Sequence, residues 1–179
     1  SCEEVRSRGS QMLRPDSGLD SITDSVTGLP DSRVFTVVLE RKIALARRTL
    51  KPLSIIYFEV ENFDSFAPYI QEHALRSTSR VIANSVRESD TICGLGHSVL
   101  AVVLDDTSEA GAIWAADRVR KANSEAPSRD VVSLSAGVAC YPSHAMEALD
   151  LMEAAKDACL RAQAHGRGRI EVAAESDRA

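Results

Sequence analysis

The sequence predicts an α+β domain: a central, mostly antiparallel sheet flanked by helices. Short apolar runs rich in β-branched residues alternate with longer stretches of helical period. Two of the short runs are separated only by Gly96-His97-Ser98, which is hairpin punctuation. An antiparallel hairpin within an alternating order argues against a doubly wound parallel sheet. With 179 residues, 44% of them hydrophobic, the chain is long enough for one domain with a buried core.

Residues 1–23, with Arg6, Arg8, Arg14, Pro15 and Gly18, show no sustained period and read as a linker or the end of an upstream helix. A helix follows from Pro30 to Leu50, where Val34, Val37, Val38, Ile43 and Leu45 recur among charged residues. Leu53–Val60 is a buried strand introduced by Pro52, and Ile70–Val86 is a helix. Thr91–Leu95 and Val99–Leu104 form the hairpin. Thr107 or Ser108 caps a helix running to Ala122, with Glu109 in its first turn. Val131–Cys140 is a strand stopped by Pro142, and an Ala-rich helix from Met146 to His165 ends at Gly166. Arg169–Val172 adds a short strand, and 174–179 is a disordered tail. The order helix, β-α-β-β-α-β, then α-β, is that of a palm with a ferredoxin-like core.

Composition narrows the function. Aromatic residues are only 4%, too few for a stacking surface along single-stranded nucleic acid, and the net charge of −5 argues against DNA or RNA. A nucleotide ligand has to be small and held by a few placed arginines. Cys2, Cys93, Cys140 and Cys159 form no CxxC pair, so neither a zinc site nor a disulfide framework is expected, and a cytoplasmic location follows. No apolar run reaches membrane-spanning length and no signal-peptide pattern opens the sequence, although a parent protein with a membrane anchor fits both facts. His73, His144 and His165 lack metal-ligand spacing, Trp114 reads as a packing residue, and Cys93 and Cys159 read as core fillers.

The stretch Asp24-Ser-Val-Thr-Gly-Leu-Pro-Asp-Ser-Arg33 resembles the D-x-L-T-G-L-x-N-R opening of GGDEF domains, the bacterial diguanylate cyclase family. Further landmarks follow in order. Pro52-Leu-Ser-Ile-Ile resembles the first strand, Glu59-Val-Glu-Asn-Phe63 the D-x-D-x-F position, Ser135-Ala-Gly-Val-Ala139 the S-x-G-x-A strand, and Gly166-Arg167 the late G-R. The resemblance covers about Asp24 to Val172, within a domain drawn as 24–173, and implies the palm fold.

The family's signature falls on Gly96, His97, Ser98, Val99 and Leu100. Where the family has a metal-binding carboxylate and an acidic residue needed for catalysis, this chain has Ser98 and Val99. Joining two GTP molecules needs divalent metal to neutralise the triphosphate, and Mg²⁺ wants hard oxygen ligands. Glu59 and Glu61 are either the remains of a metal site or polar residues at a strand end; His97 reads as a solvated turn residue. The family's guanine-holding segment is replaced by Asp64–Glu72, broken by Pro68, and its phosphate-binding Lys by Gln163. The expectation is therefore no enzyme, no catalytic residue, no metal and no cofactor.

A second motif of the family is kept. Arg87-Glu-Ser-Asp90 matches the R-x-x-D of the product-inhibition site, with five residues between Asp90 and Gly96, and Arg118 stands 22 positions after Gly96, where the family carries a further arginine. An arginine reads guanine O6 and N7 bidentately, and a carboxylate accepts from N1–H and N2–H. The resemblance thus implies cyclic di-GMP bound by Arg87, Asp90 and Arg118. The leading expectation is a catalytically inactive GGDEF-type receptor for cyclic di-GMP in bacterial signal transduction, coupled to a partner or an attached sensor or output domain. Two guanines in one ligand also suit a homodimer. The alternatives are a dimerisation or docking module that binds no nucleotide, with Arg87–Asp90 a solvated ion pair, and an active cyclase using Glu59 and Glu61.

Overall fold

A computed structural model describes residues 22–126 and 132–175. Most of the expected linker (1–21), the residues before the fourth strand (127–131, Val131 included) and the last residues of the tail (176–179) lie outside them. The elements, in chain order, are α1 Ser32–Thr49, β1 Leu53–Val60, α2 Pro68–Ser85, β2 Thr91–Gly96, β3 Val99–Leu104, α3 Glu109–Glu125, β4 Leu134–Tyr141, α4 Ala148–Ala164 and β5 Ile170–Val172. A single 3₁₀ turn, Phe63–Ser65, sits between β1 and α2.

The five strands form one sheet in the order β2-β3-β1-β4-β5. All pairings are antiparallel except β4 with β5, where α4 makes the crossover. The central β1 is buried along nearly its whole length, as its unbroken apolar run demands. Alternate residues of β1 feed two cores. Ile56, Phe58 and Val60 pack with Leu75, Ile82, Ala112 and Val119 of α2 and α3. Leu53, Ile55 and Tyr57 pack on the opposite face with Phe35, Leu39, Leu151 and Ala155 of α1 and α4. Helices therefore cover both faces of the sheet.

Local chemistry fixes the helix starts. Asp31 caps α1 by accepting from the backbone N–H groups of Arg33 and Val34, at 2.9 and 3.3 Å. Ser108 caps α3 through Gly111 N. Pro68 does not break its segment. It opens α2, where its missing N–H costs nothing.

Two glycines of the motifs have steric reasons. A Cβ on Gly137 would lie 2.2 Å from the Ala155 carbonyl oxygen and 2.4 Å from the Cys159 nitrogen, because α4 rests its backbone on β4 there. A Cβ on Gly94 would lie 2.6 Å from the Asp24 carboxylate. Asp24 also binds the N–H and hydroxyl of Thr27, and Gly94 N donates to Pro30 O at 2.9 Å. The turn after Asp24, with Gly28 at φ 74°, is thus fastened to β2. Thr23 already belongs to it through a bridge to Pro30, and Ala173 is pinned to β4 through Val138 O at 2.7 Å.

Candidate functional site: two clefts at the ends of one hairpin

The first cleft, about 550 Å³, surrounds the hairpin tip. Gly96 (φ 93°) and His97 (φ 49°) turn the chain, and Gly96 pairs with Val99 across it. Ser98 is nearly buried and donates its hydroxyl to Glu59 Oε1 at 2.9 Å. Glu61 accepts from the Ser135 hydroxyl and, at 3.0 Å, from Gly168 N. His97 is not simply solvated: its Nε2 lies 2.7 Å from Asp64 Oδ1, and its ring meets Phe63 edge-on at 5.0 Å. Gln163, Gly166 and Arg167 close the far side. Leu100 takes no part in this cleft; it is 1% exposed and packs in the α2–α3 core.

Glu59 and Glu61 bring two hard-oxygen donors to this cleft, the minimum with which a protein holds a hydrated Mg²⁺. Among the described residues, no group of three or more His, Cys, Asp or Glu side chains gathers around a common point.

The second cleft, about 360 Å³, lies at the open end of the same hairpin, where β2 begins and β3 finishes. Arg87 and Asp90 stand in the turn after α2, just past the helix end. The Asp90 side chain is 2% exposed and organises this turn. It accepts from Arg87 N at 2.9 Å, from the Arg87 guanidinium at 3.2 Å and from Asp105 N at 3.3 Å. Arg87 Nη2 also donates to Thr107 Oγ1 at 2.9 Å and to the Asp105 carbonyl. These bonds aim a guanidinium that is still 56% exposed.

Arg118 reaches the same cleft from α3, as does Trp114 one turn earlier. The three residues singled out by motif spacing thus line one hollow. Trp114 differs from its reading as a packing residue. It is 64% exposed, and the Arg118 guanidinium carbon lies 5.4 Å from its ring centroid. Sequence reasoning also missed Thr107 and the Asp105 carbonyl as the partners that fix Arg87. The i, i+4 spacing of Trp114 and Arg118 was the available signal for their contact.

Ionisation elsewhere follows burial. The Cys93 and Cys159 thiols are each pushed up to about 12 by desolvation, and Cys140 is raised for the same reason. On α3, hydrogen bonds from Arg120 and Lys121 hold the Asp117 carboxyl below its usual value.

Comparison with known proteins bears on both clefts. Residues 21–169 match the family model "Diguanylate cyclase, GGDEF domain". Diguanylate cyclase DosC of Escherichia coli is 30% identical over 159 residues, covering 83% of this chain and 34% of DosC. Response regulator PleD of Caulobacter vibrioides is 27% identical over 84% of this chain and 36% of its own length. The chain therefore spans about a third of the length of these curated relatives. Among solved structures, the GGDEF domain of TpbB (YfiN) from Pseudomonas aeruginosa superposes with a TM-score of 0.80 at 28% identity, covering 85% of this chain and 94% of that one. The GGDEF domain of DgcB from Caulobacter crescentus, solved with c-di-GMP, shares the fold with a TM-score of 0.77 at 18% identity, covering 89% and 95%.

The names of the family and of DosC overturn one expectation. Ser98 and Val99 suggested that the chain is no enzyme, whereas the family model and DosC are named diguanylate cyclases. Ser98, Val99, the Asp64–Glu72 segment and Gln163 were together given too much weight, since Glu59 and Glu61 keep two carboxylates at the cleft. With the ordered motifs, the five-stranded palm and the family match in agreement, the chain belongs to the GGDEF family, the diguanylate cyclase family of cyclic di-GMP signalling.

Proposed function

We propose that this GGDEF domain is a receptor for cyclic di-GMP, held in the cleft at the open end of the hairpin by Arg87, Asp90 and Arg118. The observation that carries the reading is convergence. Two arginines far apart in sequence line one hollow of about 360 Å³, a size within the range of small-molecule sites. Asp90 acts here chiefly on Arg87. Its buried carboxylate orients the guanidinium, and with Nε and Nη2 held by Asp90, Thr107 and the Asp105 carbonyl, Nη1 is the nitrogen left to donate to a guanine acceptor such as O6 or N7. Arg118 supplies a second cation for the other base or a phosphate.

Calorimetric titration with cyclic di-GMP tests this directly. Saturable binding is expected at micromolar or lower concentration, weakened about ten-fold or more by Arg87→Ala and unchanged by Arg80→Ala, an exposed arginine of α2. No heat with the unaltered chain, or equal losses in the two variants, would sink the assignment. The first outcome would leave the docking module that binds no nucleotide.

The relatives' names favour a second activity, condensation of GTP in the hairpin cleft. Glu59 and Glu61 are the residues there that would hold Mg²⁺, whose charge such a reaction requires. Chromatography after incubation with GTP and Mg²⁺ measures it. Cyclic di-GMP formed in this way would also be the ligand of the other cleft.

A further inference from the structure

We infer that Trp114 is a purine-stacking residue of the Arg87 cleft, an inference that rests on the receptor reading above and extends it to a contact the motif does not contain. On a helix that otherwise buries its small residues, an indole left 64% exposed offers a large ring face to a ligand. Trp114 lines the hollow that holds Arg87 and Asp90, and it also lines a second hollow with Lys121 on the other side. The indole and the Arg118 guanidinium beside it therefore form a ridge open on both sides.

A guanine whose edge is read by Arg87 needs a partner for its face. Stacking on an aromatic ring is largely indifferent to base identity, so the ridge adds affinity while the guanidinium adds selectivity. The ring costs little to immobilise, because it has two torsions and Arg118 already rests against it. The class of ligand is thus a purine nucleotide whose base reaches the ridge while its edge faces Arg87. Cyclic di-GMP, with two guanines, can use both sides of the ridge.

The chain contains a single tryptophan, so its emission reports this position alone. Cyclic di-GMP is titrated into the unaltered chain and into Trp114→Leu and Trp114→Phe, with heat and fluorescence recorded together. Emission should change saturably with the midpoint of the heat. Trp114→Leu should bind about ten-fold more weakly and Trp114→Phe should recover part of the loss. Full heat with unchanged emission, and Trp114→Leu binding as tightly as the parent, would overturn the stacking role and leave the receptor reading standing. Absence of heat in the unaltered chain would overturn both. Because the side chain is largely exposed, the variants keep the core intact, and circular dichroism melting verifies it.

Discussion

The two clefts sit at opposite ends of one hairpin and are built in opposite ways. The tip cleft gathers carboxylates, Glu59, Glu61 and Asp64, each satisfied by a serine hydroxyl, a backbone N–H or a histidine. The cleft at the open end gathers guanidinium groups and buries Asp90, the carboxylate that aims Arg87. One end is suited to a cation and what the cation carries, the other to an anion with readable base edges. Strands of six residues at about 3.3 Å per residue put roughly 20 Å between them, beyond direct contact and beyond the screening length of salt. The same sheet can therefore bear two sites whose chemistries would cancel if they met.

The largest expected effect comes from the seat of α4 on β4. Gly137→Ala forces a Cβ into the backbone of α4 and should cost about 3 kcal/mol or more, read as a lower denaturant midpoint, because backbone cannot yield as a side chain does. Folded molecules of this variant should keep their affinity for cyclic di-GMP; a loss would show that the clefts are not independent. Asp90→Ala comes next, at about 2 kcal/mol of stability, since Arg87 N and Asp105 N both lose their acceptor. It should also weaken cyclic di-GMP by releasing Arg87, and intact binding would remove Asp90 from the site.

Ser98→Ala should cost about 1 kcal/mol and leave cyclic di-GMP affinity within about two-fold, as expected for distant sites. Ser98→Asp sharpens the contrast. It sets a carboxylate against Glu59, so the melting temperature should rise with added Mg²⁺ in the variant more than in the parent. An equal response would mean that position 98 does not face the cation.

An effect silent at neutral pH belongs to neither cleft. Cys93 and Cys159 titrate near 9 when unfolded and near 12 when folded, so between those values the unfolded chain sheds protons that the native one retains. Stability is complete below pH 9 and should fall as pH rises towards 12, and Cys93→Ala should flatten that slope. Thermal melts across the range measure it.

Most of the fold was legible because its signals are local. Leu53–Val60 matches its predicted limits residue for residue, and Ser108 caps α3 as expected, since apolar runs and caps are written in adjacent residues. Pro68 misled because a proline breaks a helix in its interior and starts one at its first turn, and only the neighbours decide which. The site was legible as far as spacing carries. Arg87, Asp90 and Arg118 could be counted from Gly96, while the roles of Thr107 and the Asp105 carbonyl depend on β3 returning beside β2. Trp114 escaped because hydrophobicity alone cannot tell a buried indole from one standing at a rim.

Gly137 sets how the molecule can move. With backbone resting on backbone at Gly137, no side chain separates α4 from β4 there, and the contact resists rolling or sliding of the helix. Gln163, Gly166 and Arg167, at the end of that helix, stay at a fixed remove from Ser135 and from the Glu61 bonded to it. The tip cleft can then change width only from its other side, where His97 leans on Phe63 and Asp64. Any change in its width therefore falls to the hairpin, with the helix as the fixed side.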